Sequence, residues 1–209
     1  MTRYGVVQLI NDEPDLTVCG EAADGDEALR AMSAALPDLV LADLTMPGKG
    51  GLDFIKEVRQ LHPEVAVLVL SMHDENIYAE RVLRAGARGY LMKTEGGAKL
   101  LEAIRQVLQG QVYVSKPIAA GILDGLTRNP EDRNRRPLGR LTDREFEVFQ
   151  LVGQGLSTQR IAQCLNLSAK TVCVHRMHIR QKLELPTSAE LVRQAVQQAA
   201  SQQVAGYCV

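Results

Sequence analysis

Asp38-Leu39-Val40-Leu41-Ala42-Asp43-Leu44-Thr45-Met46-Pro47-Gly48 decides the fold. A short continuous apolar run closed by turn residues predicts a strand buried on both faces, as in a parallel sheet. Asp43 then stands at the carboxyl end of a central strand, where open α/β sheets place their reactive groups. Two similar runs also end in polar residues. Ser71 closes Val65-Ala66-Val67-Leu68-Val69-Leu70, and Lys93 follows Gly89-Tyr90-Leu91-Met92. An acid, a hydroxyl and an ammonium at the ends of successive strands make a site that can accept a phosphoryl group. The plainer reading is that strands tend to end in polar residues.

Outward from Asp43, strand and helix patterns alternate. Strands are predicted over residues 16–20, 39–43, 65–71 and 89–92. Helices are predicted over 24–34, 51–61, 75–85 and 97–108. Alternation of this kind predicts a parallel sheet with helices on both faces. Pro47 with Gly48, Gly50 and Gly51 forces a loop beside Asp43, and Gly86 is placed to end a helix as a left-handed cap. Residues 109–137 are expected to be a linker with one short helix over 118–126. Its stretch 129–137 is polar, charged and bracketed by Pro130 and Pro137, and is expected to be mobile.

Beyond the linker the period becomes 3.6. Thr142-Asp143-Arg144-Glu145 has the form of a capping box. Ser157 and Ser168 are placed to cap two further helices, separated by a turn at Asn166-Leu167, and a fourth helix is predicted over 188–203. Short helix, tight turn and second helix with a polar outer face is the helix-turn-helix pattern. A generic helical bundle is the bland alternative.

These residues resemble a known family. Residues 1–108 look like most of a response-regulator receiver domain, a flavodoxin-like parallel α/β fold. Residues 138–203 look like the all-α helix-turn-helix domain of the NarL/FixJ (LuxR-type) class. That resemblance rests on the strand-end residues and on Leu141-Thr142-x-x-Glu145, Gly155-Leu156-Ser157, Ile161-Ala162, Leu167-Ser168-x-x-Thr171-Val172 and His175. It implies a two-component transcription regulator and not an enzyme. Asp43 would be the phosphoacceptor, Ser71 and Tyr90 the switch residues, and Lys93 the partner of the phosphoryl group. Mg²⁺ would be held by Asp43 and the Thr45 carbonyl. The implied partners are a sensor histidine kinase, DNA, RNA polymerase and a second copy of the chain.

One part of the pattern is missing. A receiver begins with a strand ending in an acidic pair that holds Mg²⁺, whereas this sequence begins in the following helix at Tyr4-Gly5-Val6-Val7. Asp12, Glu13 and Asp15 belong at the opposite end of the sheet and are expected to form a solvated loop. The expectation is therefore that the native chain starts upstream, with Met1 internal, and that the chain as given accepts phosphate poorly. A phosphorylation-independent DNA-binding regulator, with the first domain as a dimerisation scaffold, stays open. So, more remotely, does a phosphatase with Asp43 as nucleophile, although Thr45 replaces the second aspartate that such enzymes use.

In the helix starting at Ser168, Val172, Ile179 and Leu183 form a core stripe. Cys173, Val174, Met177 and Arg180 are assigned to the DNA major groove. Lys170, Thr171, His175, Arg176 and Lys182 are assigned to phosphates, with Arg176 also able to reach base edges. An apolar face of Leu191, Val192, Ala195 and Val196 is expected to pair two copies.

Composition agrees. An apolar fraction of 45% is ordinary for a globular protein. No apolar run approaches the roughly 20 residues of a membrane helix. Cys19, Cys164, Cys173 and Cys208 have neither metal-ligand spacing nor a disulfide framework, which fits a reducing cytoplasm. Residues 1–130 hold 13 Lys/Arg and 18 Asp/Glu, a net of −5, while residues 131–209 hold 11 and 7, a net of +4. A basic module after an acidic one suggests that the second half meets a polyanion.

Overall fold

A computed structural model describes residues 2–46, 50–127 and 137–205. The Pro47-Gly48 loop and the linker stretch 129–136 lie outside the described residues. The chain divides into two compact units, residues 1–121 and 122–209.

The first unit is built from α1 (Arg3–Asn11), α2 (Gly25–Ala34), β1 (Leu39–Ala42), α3 (Gly51–Leu61), β2 (Ala66–Ser71), α4 (Glu75–Ala85), β3 (Gly89–Met92) and α5 (Gly97–Leu108). The three strands form one parallel sheet in the order β1-β2-β3, with Leu41 opposite Leu68 and Leu70 opposite Leu91. Parallel neighbours need a crossover, and α3 and α4 supply the two. β2 is the central strand. Its Leu68 and Leu70 join Leu91, Leu100, Ala103, Ile104 and Val107 in one core beneath α5, and α1 adds Ile10. Val67 and Val69 alternate with them onto the other face, and both are buried. Asp24 caps α2 by accepting from Glu27 N–H, and Gly86 ends α4 at φ +112°. Most of the first-unit elements follow the predicted alternation.

Three expectations are corrected. Residues 16–20 form no ladder, although their pattern is that of a strand. Leu16 and Val18 still pack against the α5 core, but the Val18 N–H turns to the Asn11 side chain at 3.0 Å. An extended segment becomes a strand only beside another backbone, and among the described residues no strand pairs with this one. For the same reason β1 is an edge strand rather than a central one, and Leu39, Val40 and Leu41 are only half buried. Glu13 and Asp15 also do more than meet solvent. Both clasp Arg105 near the end of α5, at 2.6 and 2.7 Å.

After α5 the chain passes Tyr113, which bridges to Gly89 in parallel, and enters α6 (Lys116–Thr127). The second unit holds a 3-10 turn (Pro137–Arg140), α7 (Asp143–Gly153), α8 (Thr158–Cys164), α9 (Ala169–Lys182) and α10 (Ser188–Ala205). Both halves of the expected capping box are present at Thr142 and Glu145. Ser157 and Ser168 cap α8 and α9. Asn166 makes the turn between them at φ +52°, a conformation that Asn tolerates. Phe146, Phe149, Ile161, Val172, Ile179 and Leu191 form the core of this unit.

Candidate functional sites: an aspartate at a sheet end and a helix-turn-helix face

Asp43 is the first residue after β1, and its carboxylate is held from both sides. Lys93, just past β3, donates to Oδ2 at 2.5 Å, and the Thr45 N–H donates to Oδ1 at 3.1 Å. Parallel strands bring these residues together because all three end at the same edge of the sheet. The Lys93 N–H donates to the Ser71 carbonyl at 2.8 Å, which fixes the start of the lysine.

Ser71 is fully buried. Its Oγ accepts from the His73 N–H at 3.2 Å. His73 was absent from the sequence assignment, yet its backbone N–H, its carbonyl and its Nε2 all make contacts there. Its Nε2 lies 3.0 Å from Thr45 Oγ1. Its carbonyl accepts from the Tyr90 hydroxyl at 2.8 Å, and its ring stacks on Tyr78 with centroids 4.8 Å apart. Burial holds the imidazole below its ordinary pKa. The Asp43 charge opposes that shift, and the Lys93 charge adds to it. Burial also pushes the Tyr90 hydroxyl far above the usual phenol range. The structure therefore brings Asp43, Thr45 and Lys93 into one cluster and joins Ser71 and Tyr90 to it through His73. The available signal for His73 was its place two residues beyond Ser71, in the loop at the same sheet end.

Nothing among the described residues marks a Mg²⁺ site. Each carboxylate oxygen of Asp43 accepts one hydrogen bond, from an ammonium and from an amide. Among the described residues, no group of three or more His, Cys, Asp or Glu stands close enough to hold a metal ion.

On the second unit, α9 presents Lys170, Cys173, Val174 and Met177 to solvent. Gln181, also exposed, continues that stripe at helical spacing and was not singled out from sequence. The other assigned residues are engaged inside the unit. Thr171 shares the cap, its N–H donating to Ser168 Oγ at 3.0 Å. Arg176 donates to Thr158 Oγ1 on α8 at 3.1 Å. Arg180 donates to the Pro186 carbonyl at 2.6 Å, bracing the turn into α10. His175 turns inward, where burial lowers its pKa and its Nδ1 is buried without a hydrogen-bond partner. Lys182 donates to the buried Glu145 carboxylate at 2.6 Å. Burial pushes that carboxyl up, but the bonds from Lys182 and Thr142 outweigh it and hold the group below its usual value. On α10, Leu191 and Ala195 belong to the unit's own core, whereas Val192 and Val196 are exposed. The outward apolar face is thus narrower than the sequence suggested.

Comparison with known proteins gives the family of each unit. Residues 1–105 match the response regulator receiver domain, and residues 139–195 match the bacterial regulatory proteins of the luxR family. The oxygen regulatory protein NreC of Staphylococcus carnosus is 34% identical over 200 residues, covering 94% of this chain and 92% of the relative. NreC of Staphylococcus aureus strain NCTC 8325 is 35% identical over the same coverage. A LuxR-family two-component response regulator from Aurantimonas sp. SI85-9A1 is 36% identical, with a TM-score of 0.55, over 60% of this chain and 90% of that one. RcsB from Salmonella enterica serovar Typhimurium, solved on promoter rprA with the phosphomimetic BeF3−, is 24% identical. Its TM-score is 0.66 over 91% of this chain and 90% of its own, a likeness of fold. The chain belongs to the response regulators that join a receiver domain to a LuxR-type helix-turn-helix DNA-binding domain.

Proposed function

We propose that DNA binding by the second unit is switched by phosphorylation of Asp43, with a sensor histidine kinase as donor. The observation that carries this reading is the Asp43–Lys93 pair at 2.5 Å, tied through Thr45 and His73 to Ser71 and Tyr90. In the transfer, an Asp43 oxygen forms the new bond to phosphorus while the bond from phosphorus to the donor nitrogen breaks, and the donor imidazole takes up a proton. Phosphoryl transfer depends mostly on positioning and on neutralising charge. Lys93 supplies a cation already in contact with the accepting group. The Ser71 hydroxyl and the Thr45 amide are the neighbouring donors. The chain acts as a regulator, not as an enzyme with turnover. It works in the cytoplasm as a homodimer and delivers its effect to RNA polymerase. No described helix is long and apolar enough to cross a membrane.

A second reading has its own support. The edge position of β1 in the described sheet favours a DNA-binding regulator that ignores phosphate and uses its first unit as a scaffold. Intact-mass spectrometry after incubation with a small phosphodonor separates the two. Uptake of one phosphoryl group by this chain, lost in Asp43→Asn, supports the switch. Equal uptake by both proteins removes Asp43 from the role, and no uptake by either favours the scaffold.

A further inference from the structure

The segment between α5 and α6 is tied to β3 and α4 by three hydrogen bonds. The Tyr113 carbonyl accepts from the Tyr90 N–H at 2.9 Å, and the Tyr113 N–H donates to the Arg88 carbonyl at 3.0 Å. The Ser115 N–H donates to Glu75 Oε1 at 2.7 Å. Ser115 immediately precedes α6, and its own carbonyl takes an early helical bond, from the Ala119 N–H at 2.9 Å. The start of a helix has unpaired N–H groups and the positive end of the helix dipole. A capping box answers this with a carboxylate three residues inside the helix, which accepts the N-cap N–H. α6 has no such group, because its first turn carries no acidic residue and Ile118 stands at that position. Glu75 supplies the carboxylate from 40 residues away in sequence. It is the first residue of α4 and is only 7% exposed. Burying a carboxylate is costly unless its oxygens are paired, so this placement points to a specific contact.

Glu75 is also continuous with the loop that touches the aspartate. From Asp43 the connection runs to the Thr45 amide, from Thr45 Oγ1 to the His73 ring, and along Asp74 to Glu75 and Ser115. We propose that Glu75 is a latch on the linker helix. Its carboxylate caps α6 while Asp43 is paired with Lys93. A phosphoryl group on Asp43 draws the 71–75 loop toward itself, withdraws the cap and loosens the segment that joins the two units. The trigger rests on the phosphorylation reading above, whereas the latch itself does not.

Amide hydrogen exchange on the full chain tests both parts. Glu75→Ala should speed exchange at the Ser115 and Ala119 amides about tenfold while the amides of β2 and α5 keep their rates. Glu75→Gln, which keeps an acceptor oxygen without the charge, should fall between. Unchanged exchange in both variants overturns the latch. His73→Ala leaves Glu75 in place and tests the connection. Faster exchange at the same amides supports it, and unchanged exchange overturns the coupling to Asp43. Phosphate uptake is read on the same samples by mass. A chain that takes no phosphate removes the trigger and leaves the exchange result standing.

Discussion

Lys170 and Lys182 stand at opposite ends of α9 and do different work. Lys182 neutralises Glu145, a carboxylate whose side chain is 4% exposed, while Lys170 is exposed in the first turn. Removing one partner of a buried pair leaves a charge without compensation. Lys182→Ala should therefore cost about 1–3 kcal/mol of second-unit stability, read as a lower urea midpoint, and Lys170→Ala should leave that midpoint unchanged. His73 gives a pH dependence at the same scale. Its folded pKa lies below the ordinary value near 6.5 because of burial. As pH falls below about 6.5 the unfolded chain takes up the proton first, so stability is full above that pH and declines below it. Wild-type first-unit stability, followed by hydrogen exchange, should fall more between pH 7.5 and 5.5 than that of His73→Gln; an equal fall would show that the ring does not carry the effect. Asp43, Ser71 and Lys93 were legible because strand ends announce themselves through the apolar runs before them. His73 was not, since its role comes from a loop folding back on Thr45. Nor were the internal bonds of Arg176, Arg180 and Lys182, because helical spacing gives the face of a residue and not the partner that a neighbouring helix offers.

Elements meet most closely at two glycines, and both places bear on function. A Cβ on Gly51, at the start of α3, would lie 2.6 Å from the Leu44 Cα, against the backbone that follows Asp43. A Cβ on Gly153, at the end of α7, would lie 2.5 Å from the Ala195 carbonyl on α10. Backbone atoms cannot move aside as a flexible side chain does, so each Gly→Ala change should cost about 1–3 kcal/mol. Thermal unfolding followed separately in the two units checks this. Gly51→Ala should affect only the first and Gly153→Ala only the second, and a Gly51→Ala chain that unfolds like wild type would mean that α3 does not hold the Asp43 loop. The same scale shows where sequence patterning stops. The apolar runs of β1, β2 and β3 were readable because neighbouring backbones complete them. Residues 16–20 carry an equally good run and form no strand, because propensity proposes an extended segment and only a partner makes it a ladder. β1 has no ladder partner on its outer side among the described residues, and its Leu39-Val40-Leu41-Ala42 carries no charge, so it is the kind of edge that invites pairing.

At the scale of the molecule, the net of −5 before residue 131 and +4 after it places the attraction for a polyanion on the helix-turn-helix unit. The face of α9 that the structure leaves free is Lys170, Cys173, Val174, Met177 and Gln181, one cation among apolar and amide groups. Its chemistry divides the labour. If this face meets DNA, Lys170 would answer a phosphate, Val174 and Met177 would suit a thymine methyl, and Gln181 has the paired donor and acceptor that suit adenine. Binding of the full chain to a genomic fragment should weaken steeply with salt, as counterions return to the phosphates. Lys170→Ala should weaken all sequences alike and reduce the salt slope by about 1. Met177→Ala should shift preference at one or two positions, by about 1–3 kcal/mol for each base pair read. Val192 and Val196 are exposed one turn apart on α10, and they make the test of assembly. If they pair two copies, Val196→Glu should leave the monomer folded, lower affinity for a two-half-site fragment, and leave affinity for a single half-site unchanged. Equal loss on both fragments, measured by titration at one salt concentration, would place the contact with DNA and not with a second copy.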